Sequence, residues 1–219
     1  MTWIKICGTT NLEDALTAVE AGADALGFVF YEKSPRKIDP GTARKIVAQL
    51  PANVETVGVF VNEPVETILR TVAYVGLTAL QFQGLGSGKP EFWRALKGER
   101  ELKLFLVLPY SETEDGLERN DYERFLSAVF FDSGTPEVPG GTGKTFDWKA
   151  AASRVRAVSV KVNVVVAGGL NSGNVPDAIR ILEPWGVDVA SGVEARPGKK
   201  DPAKVRAFID AVRKVKKKI

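Results

Sequence analysis

The sequence predicts a closed (β/α)8 barrel of the TIM type, a single domain over residues 1–219, and three observations carry that expectation. Eight short apolar runs recur, each followed by a polar or amphipathic stretch, at spacings of about 20 to 30 residues, the size of a β-α-β unit. Runs such as Ala25 to Phe30 and Thr56 to Val61 are apolar on both faces, as parallel strands buried on both sides are. No linker or shift in composition divides the chain, and eight such units in 219 residues fit a closed barrel better than an open doubly wound sheet.

Trp3 to Cys7 forms the first strand, stopped by Gly8. Asn11 caps a helix over Leu12 to Ala21, with Leu12, Ala15, Leu16 and Val19 on one face and Gly22 as its stop. After the second strand, Asp39 and Pro40 open a helix from Gly41 to Leu50. The third strand leads into a helix over Pro64 to Val75, ended by Gly76. Ala79 to Phe82 is the fourth strand, Gly84 to Gly88 a loop and Pro90 to Leu96 a short helix. Leu102 to Leu108 is the fifth strand; a polar loop over Tyr110 to Asn120 and a short helix near Tyr122 to Leu126 follow. Val129 to Phe131 is the sixth strand and Trp148 to Arg156 its helix. Val162 to Ala167 and Val187 to Ala190 complete the strands, with helices over Val175 to Leu182, capped by Asn174, and Val205 to Val215.

At 44% hydrophobic and 26% charged, the composition is that of a globular chain large enough to need no disulfide or metal for its core. A net charge of +3 is too mild to argue for nucleic acid, and the cluster Lys214 to Lys218 reads as a solvated helix end. No apolar run reaches the length of a membrane span, and Met1 leads into a strand pattern rather than a signal peptide, so the cytoplasm is the expected compartment. The single cysteine, Cys7, rules out an intramolecular disulfide, and the absence of histidine rules out Ser-His and Cys-His systems and His-containing metal sites. Acid-base work then falls to Asp, Glu, Cys, Lys or Tyr.

In such a barrel, chemistry sits where the strands end. Asp132 ends the sixth strand, where it either caps a turn or presents an acid. Cys7 ends the first, as a small buried hydrophobe or as a base or nucleophile. Gly168-Gly169 and Ser191-Gly192 follow strands seven and eight, the two places where backbone N–H groups often hold a phosphate; otherwise they only make tight turns. Arg36, in the loop after strand two, could grip a carboxylate or stand in solvent. The stretch Gly140 to Thr145 looks like a P-loop, but the required first glycine falls on Val138, so a loop closing over a ligand is the better reading.

Lys5-Ile6-Cys7-Gly8, Gly27 to Phe30 with Ser34-Pro35-Arg36, Gly58 to Asn62, Asp132-Ser133 followed by Gly140 to Trp148, Ala167 to Leu170, and Asp188 with Ser191 to Glu194 recur in one order. Over essentially the whole chain, the sequence resembles the phosphoribosylanthranilate isomerases of tryptophan biosynthesis. That resemblance implies a TIM barrel that converts N-(5-phosphoribosyl)anthranilate to its 1-deoxyribulose 5-phosphate isomer by an Amadori rearrangement. It implies Asp132 as general acid and Cys7 as general base, Arg36 on the anthranilate carboxylate, Asp188 near the sugar hydroxyls and Gly168, Gly169, Ser191 and Gly192 on the phosphate. No metal or organic cofactor is called for. The expected partner is a small phosphorylated substrate, with no nucleic acid or membrane, in a monomer or homodimer.

One position departs from the family. Gln83 stands where it commonly has His, in Leu80-Gln81-Phe82-Gln83-Gly84; Gln83 can bind substrate by hydrogen bonds but cannot titrate. The competing readings are a sugar-phosphate isomerase of another pathway and a ligand-binding barrel without activity.

Overall fold

The computed structural model describes residues 1–83, 90–98, 101–109, 124–133 and 145–215. Strands β1 (Trp3–Cys7), β2 (Ala25–Val29), β3 (Glu55–Phe60), β4 (Ala79–Gln83), β5 (Lys103–Pro109), β6 (Ala128–Asp132), β7 (Asn163–Val166) and β8 (Gly186–Val189) pair in chain order. All pairs are parallel, and β8 returns to β1 with Lys5 opposite Asp188, closing the barrel. Helices α1 (Leu12–Glu20), α2 (Pro40–Val47), α3 (Val65–Val75), α4 (Pro90–Lys97), α5 (Trp148–Ser159), α6 (Val175–Leu182) and α7 (Pro202–Lys214) follow β1, β2, β3, β4, β6, β7 and β8.

Strand alternation sorts the core into two. One set of side chains, including Ile4, Ile6, Phe28, Leu80, Leu106 and Phe131, packs outward against the helices. The other fills the barrel: Trp3, Val57, Phe105, Phe130 and Val165, with Cys7, Val29 and Val59 in a separate cluster. Trp3 stacks on Trp185 at 4.9 Å and meets Phe105 and Phe130 edge-on. Burial on both faces is why the strands read as near-continuous apolar runs.

The expected caps of α1 and α2 form: Asn11 Oδ1 accepts from Asp14 N–H at 3.0 Å, and Asp39 Oδ1 from Thr42 N–H at 2.9 Å. Asn174 does not cap α6. Its Oδ1 accepts from Asn171 N–H and its Nδ2 donates to the Gly169 carbonyl, so it braces the loop after β7 instead. Helix α7 begins at Pro202, three residues before Val205, because Asp201 caps it through Ala203 and Lys204 N–H. Two short antiparallel strands, β9 (Glu194–Arg196) and β10 (Lys199–Lys200), form a hairpin that the apolar pattern did not announce. Of the helix expected near 122–126, Arg124 and Phe125 form a short 3-10 turn and residues 122 and 123 lie outside the described set. The expected loops over 84–88 and 110–120, the glycine-rich stretch 134–144 and Lys216 to Lys218 lie outside it too.

Candidate active site

A cavity of ≈ 280 Å³ opens where the strands end. Cys7 (β1), Gln81 and Gln83 (β4), Asp132 (β6) and Asp188 (β8) reach it from the barrel wall. Arg36 reaches it from the loop after β2, Gly168 and Gly169 from the loop after β7, and Ser191 from the turn after β8. Eight of the nine residues singled out in the sequence therefore face one space. Gly192 does not line it and packs against Leu170.

Glycine is required at these loops for two reasons. Gly168 has φ +80, a region a side chain rarely adopts, and a Cβ there would lie 2.6 Å from the Ser133 backbone nitrogen. A Cβ on Gly192 would overlap the backbone carbonyl of Leu170, so this glycine lets the loops after β7 and β8 close on each other. Gly8 serves Arg36 in the same way: at φ +76, its missing side chain leaves room for Arg36 Cδ, 2.6 Å from where a Cβ would stand.

Arg36 is not a solvated loop charge. Its side chain is 14% exposed, and Nε and Nη2 donate to Glu194 Oε1 at 2.9 Å and Oε2 at 2.8 Å. This fork is the bidentate geometry in which guanidinium and carboxylate bind most strongly. Glu194, 4% exposed, also accepts from Lys200 Nζ at 3.1 Å. Lys200, 1% exposed, donates in turn to the carbonyls of Cys7 at 2.5 Å and Ala190 at 3.3 Å. The β9–β10 hairpin thus ties Arg36 to the ends of β1 and β8. Burial alone would push the Glu194 carboxyl up, but Arg36 and Lys200 outweigh it and hold it below its usual range. Burial pulls Lys200 below its ordinary value despite Glu194 beside it.

Beneath the cavity lies a second cluster. Lys5, fully buried, donates to Asp188 Oδ1 at 3.0 Å. Burial works against the Lys5 ammonium, yet the charges of Asp188 and Cys7 prevail and its pKa is raised. Burial pushes the Cys7 thiol up; Lys5 pulls it down without cancelling that, and Asp188 adds to the rise. Gln81 is a further polar group at the wall, and its Oε1 is buried with no hydrogen-bond partner among the described residues.

Lys5, Gln81, Glu194 and Lys200 were not among the site residues expected from the sequence, although Lys5, Gln81 and Glu194 stand inside motifs already singled out. The available signal was alternation along β1, which puts Trp3, Lys5 and Cys7 on one face and so points a lysine into an apolar barrel. No group of three or more His, Cys, Asp or Glu side chains among the described residues could hold a metal ion. No described helix is long and apolar enough to cross a membrane.

Known proteins match this chain along nearly its whole length. The family model described as N-(5'phosphoribosyl)anthranilate (PRA) isomerase matches residues 4–211. The N-(5'-phosphoribosyl)anthranilate isomerase of Pelobacter propionicus is 48% identical over 206 residues, covering 94% of this chain and 93% of that one. The phosphoribosyl anthranilate isomerase from Thermotoga maritima superposes with a TM-score of 0.84 at 43% identity, over 97% of this chain and 99% of that one. A phosphoribosyl anthranilate isomerase in complex with reduced 1-(o-carboxyphenylamino)-1-deoxyribulose 5-phosphate superposes at 0.81 with 41% identity, over 97% and 99% of the two chains.

Proposed function

Because the chain belongs to the N-(5'-phosphoribosyl)anthranilate isomerase family of tryptophan biosynthesis, we propose that its cavity carries out the Amadori rearrangement with Asp132 as general acid and Cys7 as general base. The observation that supports this most is that the two groups, from β1 and β6, line one cavity together with the loops after β7 and β8.

Asp132 protonates the ribose ring oxygen as the C1′–O bond breaks, and the anthranilate nitrogen lone pair forms a C1′ iminium. Cys7, as thiolate, takes the C2′ proton. The C–H electron pair becomes the C1′–C2′ double bond of an enolamine and the nitrogen regains its lone pair; tautomerisation then gives the ketone. The nitrogen of the substrate is the electron sink, so the route calls for no cofactor. The cationic iminium also favours the thiolate at the moment the base is needed, against the burial that otherwise disfavours it.

Backbone N–H groups at Gly168, Gly169, Ser191 and Gly192 hold the phosphate, Asp188 and Gln83 contact the sugar and the anthranilate end, and Arg36 binds the anthranilate carboxylate. Arg36 does this with the edge not engaged by Glu194: its Nη1 makes neither of the two bonds to that carboxylate. Residues 1–219 work as one domain in the cytoplasm, as a monomer or homodimer. The deciding experiment follows the fluorescence of phosphoribosylanthranilate as the purified chain consumes it. Turnover is expected, and a folded protein without turnover overturns the assignment.

A further inference from the structure

We propose that Lys5 is a positioning residue of this reaction: its buried ammonium, clamped by Asp188, stands beside the Cys7 sulfur and sustains the thiolate that takes the C2′ proton. The inference rests on Cys7 being the base.

Three observations carry it. Lys5 is fully buried and does not line the cavity, so it acts through a neighbour rather than on substrate. Its Nζ is held at 3.0 Å by Asp188, across the β1–β8 junction where the two residues are register partners. Gly27 on β2 is the register partner of Cys7; a Cβ there would lie 2.8 Å from Cys7 Sγ and 3.1 Å from Lys5 Nζ. Sulfur and ammonium thus converge on a spot kept open by a missing side chain. The face of Phe130 closes the far side, its ring centroid 5.5 Å from Nζ.

A lysine in the middle of an apolar barrel needs a reason, since an ammonium there is costly unless paired. Asp188 balances it in the resting state. When Cys7 loses its proton, the cluster gains a negative charge in a place with little water, and Lys5 is the cation adjacent to it. Of the other charged groups acting on the sulfur, Asp188 opposes the thiolate, and Lys200, engaged with Glu194 and the Cys7 carbonyl, favours it more weakly than Lys5. Asp132 and Arg36 share the cavity above. Removing the Lys5 charge therefore raises the pH at which the thiolate forms, and with it the acid limb of kcat/KM.

The chain has one cysteine, so cysteine labelled with 13C at Cβ gives a single resonance that reports thiol and thiolate directly in the whole protein. In Lys5→Met the midpoint should move up by about 1–3 pH units relative to the parent, the usual effect of losing an adjacent opposite charge. The double variant Lys5→Met/Asp188→Asn leaves neither partner charged. It avoids the unpaired buried carboxylate that threatens folding in Lys5→Met, and so separates the loss of the lysine from the stranding of the aspartate. Its midpoint should also rise, and the acid limb of kcat/KM, where turnover is measurable, should rise by the same amount. A double-variant midpoint at or below that of the parent overturns the proposal, whatever Lys5→Met alone does. The titration needs no substrate. A parent that does not turn over phosphoribosylanthranilate would therefore defeat the assigned reaction while leaving the Lys5–Cys7 pairing to be judged by the resonance.

Discussion

Replacing Glu194 by Gln keeps the shape of the side chain and removes one charge from a buried network of three. Arg36 loses the carboxylate that accepts from its Nε and Nη2 at 2.9 and 2.8 Å, and a Gln amide would set an N–H against one of those donors. Lys200 loses its counter-charge and keeps, among the described residues, the Cys7 and Ala190 carbonyls. Stranding charge in this way typically costs about 3–5 kcal/mol. For a chain of this size that lowers Tm by about 6–20 °C. The loosened Arg36 should raise KM for phosphoribosylanthranilate about tenfold or more while kcat changes less, since roughly 1.4 kcal/mol of binding is a factor of ten. The pH dependence has a definite sign. A carboxylate held below its usual range adds stability above that range and loses it as pH falls through the folded-state value. The gap between parent and Glu194→Gln should therefore be full at neutral pH and shrink below about pH 4. Urea denaturation at several pH values, with steady-state kinetics, measures all three. A loss under about 1 kcal/mol at pH 7 with KM unchanged would show that the network behaves like a surface ion pair, and would refute the reasoning.

Cys7→Ala and Asp132→Asn should each lower kcat about 10²–10⁴-fold with the far-ultraviolet dichroism unchanged; near-normal turnover in either variant removes that residue from the mechanism. Arg36→Ala should act chiefly on KM, and a fall in kcat alone would reassign it. Gly192→Ala should destabilise by about 1–3 kcal/mol and weaken phosphate binding, because its methyl meets the Leu170 backbone carbonyl, which cannot rotate away; inhibition by inorganic phosphate, compared between the two proteins, reads the second effect.

The barrel was legible because its strands are buried on both faces. Thr56 to Val61 and Ala25 to Phe30 needed no period to be recognised, and each falls within one residue of the observed strand. Helix ends were legible where a cap signals them, as at Asn11, Asp39 and Gly76. Asn174 misled because the same amide that can cap a helix can also brace a loop, and the choice depends on Gly169, which only the fold brings near. The rim residues followed from the positions of strand ends, except Asp188, which only the family resemblance supplied; their partners did not follow. Glu194 lies 158 residues from Arg36, and the strands of its hairpin, three and two residues long, are too short to show alternation. Lys5 was visible as a letter in a motif; its meaning required knowing that β8 returns to β1 with Asp188 alongside it.

The bond from Lys200 to the Cys7 carbonyl joins residues 193 positions apart. At the usual pace of ribosomal synthesis, about 5–20 residues per second, some 10–40 s separate the making of one from the other. Throughout that interval the growing chain holds its sole thiol with Lys5 two residues away but without Lys200, the other cation that acts on it in the finished protein, and its first strand has only β2 to pair with. On the ribosome the barrel mouth is therefore completed late: β8 must reach β1 to pair Lys5 with Asp188, and the hairpin behind it must follow to anchor the Cys7 backbone and seat Arg36.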